Sequence, residues 1–129
     1  MYCLDTNIII EFLKGNKIII EKVNIARQQG EIFITYISLC ELYKGIYLSN
    51  KIETELEELD EFLEAISVVG LDKESCESFG KDFVKLQKSG KMTNEFDLMI
   101  ASIVKANNLI LITRDKKHFD NLGVKVNGW

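Results

Sequence analysis

The sequence predicts an α/β fold, with helices covering both faces of a central parallel sheet in three α/β/α layers. Three observations predict it. Strand-like and helix-like runs alternate along the whole chain, the order that builds parallel sheets. The run Leu109-Ile110-Leu111-Ile112-Thr113 is apolar without alternation, as a strand buried on both faces should be. The helix-like stretch before it is apolar nearly all round, through Phe96, Leu98, Met99, Ile100, Ala101, Ile103 and Val104, so it should be largely buried too. At 129 residues the chain has the length of one domain, 1–129, large enough to bury a sizeable core.

The elements follow in order. Met1-Tyr2-Cys3-Leu4 reads as the first strand and stops at Asp5-Thr6-Asn7. Ile8 to Leu13 resumes as a helix ending at Gly15. Asn16 can cap a helix through Gln29, with Ile18, Ile19, Val23 and Ala26 as its apolar positions and Gly30 as its stop. Glu31 to Thr35 is the second strand. Ser38-Leu39-Cys40-Glu41 matches S-x-x-E, a capping box opening the next helix, with Leu39, Leu42, Tyr43 and Ile46 as its stripe. From Lys51 to Ala65, Ile52, Leu56, Leu59, Phe62 and Leu63 form one apolar helical face. Its other face, with Glu53, Glu55, Glu57, Glu58, Asp60, Glu61 and Glu64, is strongly acidic and reads as solvated. Ile66 to Val69 is the third strand. Asp72 caps a helix with Cys76, Phe79, Phe83 and Leu86 on one face and Lys81, Lys85 and Lys88 on another. A lysine stripe is more often a solvated face than a phosphate track. Thr93-Asn94 opens the buried helix, which runs to about Asn107. After Leu109–Thr113 comes a short turn or helix, Arg114 to Phe119, and Val124-Lys125-Val126 is an edge strand.

Composition removes several function classes. Net charge is −4, which argues against gripping nucleic acid through bulk positive charge, though not against a nuclease whose metal ion carries the charge locally. No apolar run is long enough to span a membrane, and the N-terminus lacks the pattern of a secretory signal. Cys3, Cys40 and Cys76 lack metal-type spacing and read as small buried hydrophobes of a cytoplasmic protein. His118, the single histidine, cannot form a histidine-based metal site by itself.

Parallel topology brings acids together. Ligands of open α/β sheets sit outside the carboxyl ends of the strands. Asp5 ends the first strand, Glu41 opens the helix after the second, and Asp115 lies just past the fourth. The helix containing Asp97 joins the fourth strand through the short link Asn107-Asn108, so it runs antiparallel to that strand. Fourteen helical residues span about 21 Å and five strand residues about 17 Å, so Asp97 returns to the same edge. Each acid also has a plainer reading: Asp5 or Thr6 can cap a helix, and Glu41 and Asp97 can each be the third residue of a capping box. Four acids at one edge raise each other's pKa, and a hard divalent cation relieves that. Carboxylates and water, without Cys or His, suit Mg²⁺ or Mn²⁺, and such sites perform phosphoryl transfer.

Four stretches then carry a family resemblance: Tyr2-Cys3-Leu4-Asp5-Thr6-Asn7, Ser38-Leu39-Cys40-Glu41-Leu42-Tyr43-Lys44-Gly45, Asp97-Leu98-Met99-Ile100-Ala101, and Thr113-Arg114-Asp115 through His118-Phe119. In this order and spacing the chain resembles PIN-domain ribonucleases, in particular the VapC-type toxins of toxin–antitoxin pairs. Each motif alone is weak, and four in register are fairly specific. The resemblance implies an Mg²⁺- or Mn²⁺-dependent endoribonuclease. It implies catalytic acids at Asp5, Glu41, Asp97 and Asp115, of which Asp5 and Asp97 hold the metal and Asp115 is the least strict. It implies supporting roles for Thr6, Asn7 and Thr113. It also implies a homodimer and a small antitoxin bound across the helices after the second strand.

Two other chemistries use acids at a sheet edge. A receiver-type phosphorylation module would use Asp72, Thr113 and Lys125, but leaves Glu41 and Asp97 unexplained. A haloacid-dehalogenase-type phosphatase needs an acid where Asn7 stands. A PIN nuclease that processes stable RNA without an antitoxin remains compatible with the same residues.

Overall fold

The computed structural model describes residues 1–91 and 93–129. Five strands form one sheet in the order β3-β2-β1-β4-β5, with every neighbouring pair parallel. The strands are β1 (Tyr2–Leu4), β2 (Ile32–Thr35), β3 (Ser67–Val69), β4 (Ile110–Ile112) and β5 (Val126–Asn127). The helices are α1 (Thr6–Leu13), α2 (Lys17–Gln29), α3 (Tyr36–Tyr47), α4 (Ile52–Leu63), α5 (Lys73–Lys88) and α6 (Glu95–Ala106), with a 3-10 turn at Lys116–Phe119.

The three layers follow from the two-residue period of the strands. Leu4, Ile32, Ile34 and Ile112 point to one face and pack with Ile8, Ile9, Val23, Leu42 and Leu59 from α1 to α4. Cys3, Phe33 and Leu111 point to the other and pack with Leu86, Leu98, Ala101 and Val104 from α5 and α6. Each inner strand is therefore buried on both sides, which is why Leu109–Thr113 carries no polar alternation.

The helix ends fix the chain reversals that position the edge. Gly15 takes φ +87° after α1, and Asn16 N donates back to Glu11 O at 3.0 Å. Asn108 takes φ +54° after α6, with Leu109 N donating to Val104 O at 3.0 Å. Both are Schellman closures, and asparagine tolerates this left-handed position better than most residues. The second one turns α6 directly into β4, so α6 starts at the carboxyl edge.

Several local expectations are corrected. The Ser38–Glu41 capping box does not form. β2 runs without a loop into α3, and Thr35 caps it, its Oγ1 accepting from Ser38 N at 3.0 Å. Glu41 is consequently in the second turn, not the first. Gly30 does end α2, but with φ 168°, extended backbone and not the left-handed form. Cys40 and Cys76 are exposed, and only Cys3 is buried. Ile18 and Phe96 are 66% and 52% exposed, so they sit outside the buried faces assigned to them. The last strand is Val126–Asn127, with Lys125 just before it.

Candidate active site

Asp5 is the single residue between β1 and α1. Its N–H donates to Ile112 O at 2.9 Å, carrying the β1–β4 pairing one residue past the strand. Its carboxylate is used twice. Oδ1 accepts from Thr6 N at 2.9 Å as the N-cap of α1, and Oδ2 accepts from Thr113 Oγ1 at 2.7 Å. The capping reading of Asp5 and the site reading are thus compatible, because the cap itself holds the carboxylate still.

Thr113 follows β4, and its hydroxyl is a junction. Besides donating to Asp5, Oγ1 accepts from Asn7 Nδ2 at 3.3 Å and from Asp115 N at 3.1 Å. Arg114 N in turn donates to Asn7 Oδ1 at 3.3 Å. Asn7 therefore ties the start of α1 to the loop after β4.

A second chain of hydroxyls reaches Glu41. Thr6 Oγ1 lies 2.7 Å from Glu41 Oε1 and 2.9 Å from Ser38 Oγ. One hydroxyl proton cannot serve both. The carboxylate only accepts, so Thr6 donates to Glu41 and accepts from Ser38. Thr35 Oγ1 stands 3.4 Å behind Ser38 Oγ. Ser38, Thr35 and Thr113 are fully buried, and each has a partner, as buried polar groups require. Sequence reasoning assigned Ser38 only to a capping box. The signal that could have found it is the T-x-x-S spacing of Thr35 and Ser38.

Asn94 caps α6, its Oδ1 accepting from Phe96 N at 2.8 Å and Asp97 N at 3.4 Å. The Asp97 carboxylate turns away from that cap toward His118, with Oδ2 3.6 Å from Nδ1. His118 Nε2 is 3.2 Å from Asp115 Oδ2. The single histidine, unable to form a metal site by itself, thus stands between two of the predicted acids. Its spacing to Asp115, three residues in a tight turn, was the available signal.

Burial pushes the Asp5 carboxyl above its ordinary range, and the charges of Asp97 and Glu41 push the same way against the hydrogen bonds from Thr113 and Thr6. Burial also raises Asp97, with Glu41 and Asp115 adding to the rise and His118 opposing it. Glu41 and Asp97 therefore act on Asp5, and Glu41 and Asp115 on Asp97, across the cleft at the carboxyl edge. Among the described residues, no group of three His, Cys, Asp or Glu side chains is arranged to hold a metal ion as it stands. In donor chemistry the cleft nevertheless fits a hard cation, since its floor is all carboxylate and hydroxyl oxygen. The receiver-type constellation does not assemble: Asp72 is exposed and closes a capping box with Ser75 at the start of α5.

Comparisons with known proteins agree with this geometry. Residues 2–125 match the family model of the PIN domain. Ribonuclease VapC1 of Haemophilus influenzae (strain R2866) is 32% identical over 123 residues, 95% of this chain and 92% of that protein. The tRNA(fMet)-specific endonuclease VapC of Shigella flexneri is 29% identical, with 95% of this chain and 92% of that protein covered. The solved structure of VapBC-1 from nontypeable Haemophilus influenzae superposes with a TM-score of 0.89 at 31% identity, covering 99% of this chain and 97% of that one. With its acids spaced and folded in this way, and matched along nearly its whole length, the chain belongs to the PIN domain family.

Proposed function

We propose that this chain, as a single PIN-like domain over 1–129, is a metal-dependent endoribonuclease and the toxin of a toxin–antitoxin pair. The observation that carries the reading is the cleft in which the charge of Glu41 raises the cost of ionising both Asp5 and Asp97, on a fold shared with VapC ribonucleases. Asp5 and Asp97 would hold Mg²⁺ or Mn²⁺, the cations that oxygen donors select. Bound there, such an ion supplies Lewis-acid polarisation of a phosphodiester and a more acidic water.

The remaining work falls to the chain's own residues. Thr113 and the Thr6 N–H fix the rotamer of Asp5. Thr6 occupies Glu41 Oε1, which leaves Oε2 to orient the attacking water and accept its proton. The water oxygen forms the new bond to phosphorus as the bridging ester oxygen departs. Asp115, half-buried at the rim, orients His118. Thr6, Asn7 and Thr113 are supporting residues.

The partner side of the proposal is an antitoxin and a second copy of this chain, acting in the cytoplasm. Among the described residues, no helix is long and apolar enough to cross a membrane. An inhibitory segment entering the cleft would carry an arginine, which pairs with carboxylates through two parallel hydrogen bonds. Incubating the purified chain with total RNA, in Mg²⁺ or Mn²⁺ and in EDTA, tests the activity. Cleavage that needs the ion is the expected result, and cleavage that survives EDTA sinks the metal-dependent reading.

A further inference from the structure

Two of the cavities beside the acids differ in charge. One, about 240 Å³, lies among α1, α3 and α4. It is largely apolar and carries Glu41, Glu55 and Glu58 against Lys14. The other, about 290 Å³, lies between the end of α5, the start of α6 and the 3-10 turn. It reaches Asp97 and is lined by Lys91, Lys117, His118, Asn94 and Asn121. Its volume is near the lower end of small-ligand sites, which start at roughly 300 Å³.

The two lysines of the second cavity are uncompensated. Arg114 pairs with Glu11, Lys105 with Asp82 and Lys81 with Glu77. Among the described residues, no carboxylate comes within ion-pair distance of Lys91 or Lys117. Lys91 Nζ instead lies 3.4 Å from the neutral Asn121 Oδ1. The positive line also continues on both sides. Lys91 shares a neighbouring hollow with Lys85, and Lys117 shares another with Lys116. The acids of α4 lie on the opposite side of the cleft. A polyanion near this chain of net charge −4 is therefore steered by local asymmetry, since bulk charge repels it.

We infer that single-stranded RNA crosses the acids on the α5–α6 side, with a phosphate adjacent to the scissile one seated between Lys91 and Lys117. This rests on the ribonuclease reading for its choice of polyanion. The cavity takes one nucleotide unit, and the basic line on either side follows the sugar–phosphate backbone. Contacts of this kind position a strand without reading its bases. Lys91 and Lys117 are substrate-binding residues, and their loss should raise KM while leaving kcat at saturating RNA nearly unchanged.

The test measures binding of a short single-stranded RNA oligonucleotide to the full chain by fluorescence anisotropy across a salt series, alongside cleavage in Mn²⁺. Lys91→Ala with Lys117→Ala should weaken binding at least tenfold at low salt. The slope of log affinity against log salt should become shallower by about 0.7, the value for the one phosphate that the pair neutralises on a single strand. Lys91→Arg with Lys117→Arg should keep both values, because the charge and reach remain. Lys17→Ala with Lys22→Ala, on the remote surface of α2, removes the same charge and should change neither. Wild-type affinity and slope in the alanine pair, equal loss in the α2 pair, or no binding by wild type at low salt would each overturn the docking face. Lysine-dependent binding without ion-dependent cleavage would instead retire the ribonuclease reading and leave the docking face standing.

Discussion

Asp5 and Asp97 carry the same side chain, face the same cleft and are both raised in pKa by burial, yet the chain holds them by different means. Asp5 sits at a strand–helix junction with one oxygen on a backbone N–H and the other on a buried hydroxyl. That hydroxyl is itself held by Asn7 and by the Asp115 N–H. Asp97 stands in the first turn of α6 and faces an exposed imidazole at 3.6 Å, beyond ordinary hydrogen-bond length. The floor of the cleft is thus preorganised by the sheet, whereas the rim is positioned only by where a helix happens to start. Preorganised groups cost little reorganisation when charge develops, and loosely held ones can follow a ligand.

The sharpest way to separate floor from rim is to remove one charge from each. Asp5→Asn and Asp97→Asn should each lower RNA cleavage by about a thousandfold, a loss of roughly 4 kcal/mol of transition-state stabilisation. Their metal-free stabilities should diverge. Asparagine at position 5 turns an N–H₂ toward Thr113 Oγ1, which already accepts from Asn7 and Asp115, so one donor loses its acceptor. Asparagine at position 97 breaks no cap, because Asn94 supplies it, and it relieves repulsion from Glu41 and Asp115. Melting in EDTA should therefore place Asp5→Asn below wild type and Asp97→Asn at or above it. In a Mn²⁺ titration both should show a smaller rise in melting temperature than wild type, while Asp72→Asn, at a remote cap, should match wild type. The opposite ranking in EDTA would reverse the assignment of floor and rim.

A smaller effect is expected one residue back from the acids. Thr113→Val deletes the hydroxyl that orients Asp5, and outer partners of this sort typically cost 10–100-fold in activity or metal affinity. It also strands buried partners, at roughly 1–3 kcal/mol of stability. Thr6→Val should act similarly on Glu41, with a milder stability cost because Thr6 is only half-buried. At the rim, His118→Ala removes an exposed partner, so the stability change should stay within about 1 kcal/mol. Parallel activity assays and denaturant melts compare the three. A His118→Ala loss as large as that of Thr113→Val would show the rim to be as tightly organised as the floor.

The carboxyl edge was legible because topology alone sends every strand end to one side. Asp97 could be placed there by helix and strand lengths, with no knowledge of its contacts. What the sequence left open were choices between neighbours competing for one role. Thr35 and Ser38 can both cap α3, and the residue ending β2 takes the cap because strand and helix meet without a loop. Cys40, Cys76, Ile18 and Phe96 lie at helix positions whose burial depends on what packs over them, which periodicity cannot supply. His118 was only half legible for a related reason. Asp115 is three residues away, but Asp97, its other neighbour, comes from a different element.

The smallest effect is a pH dependence, and its sign discriminates floor from surface. Because the Asp5 pKa is raised in the folded chain, the native state binds that proton more readily than the unfolded state does. Its contribution to stability is full below the unfolded pKa and is lost as pH rises through the raised native value. Asp97 shifts in the same direction, though its partial exposure lets solvent and salt screen it. Glu11 and Asp72 shift downward and contribute the opposite slope, so total stability against pH is uninformative. The difference between wild type and Asp5→Asn cancels them. In EDTA, the melting temperature of wild type relative to Asp5→Asn should fall as pH climbs through the acidic range and level off above the native pKa. Added salt should leave most of that slope intact if desolvation, the first cause of the shift, dominates. A flat difference would mean that the hydrogen bonds from Thr6 and Thr113 fully offset burial. A difference growing in favour of wild type would mean that they exceed it, and that the floor carboxylate stabilises the fold when charged.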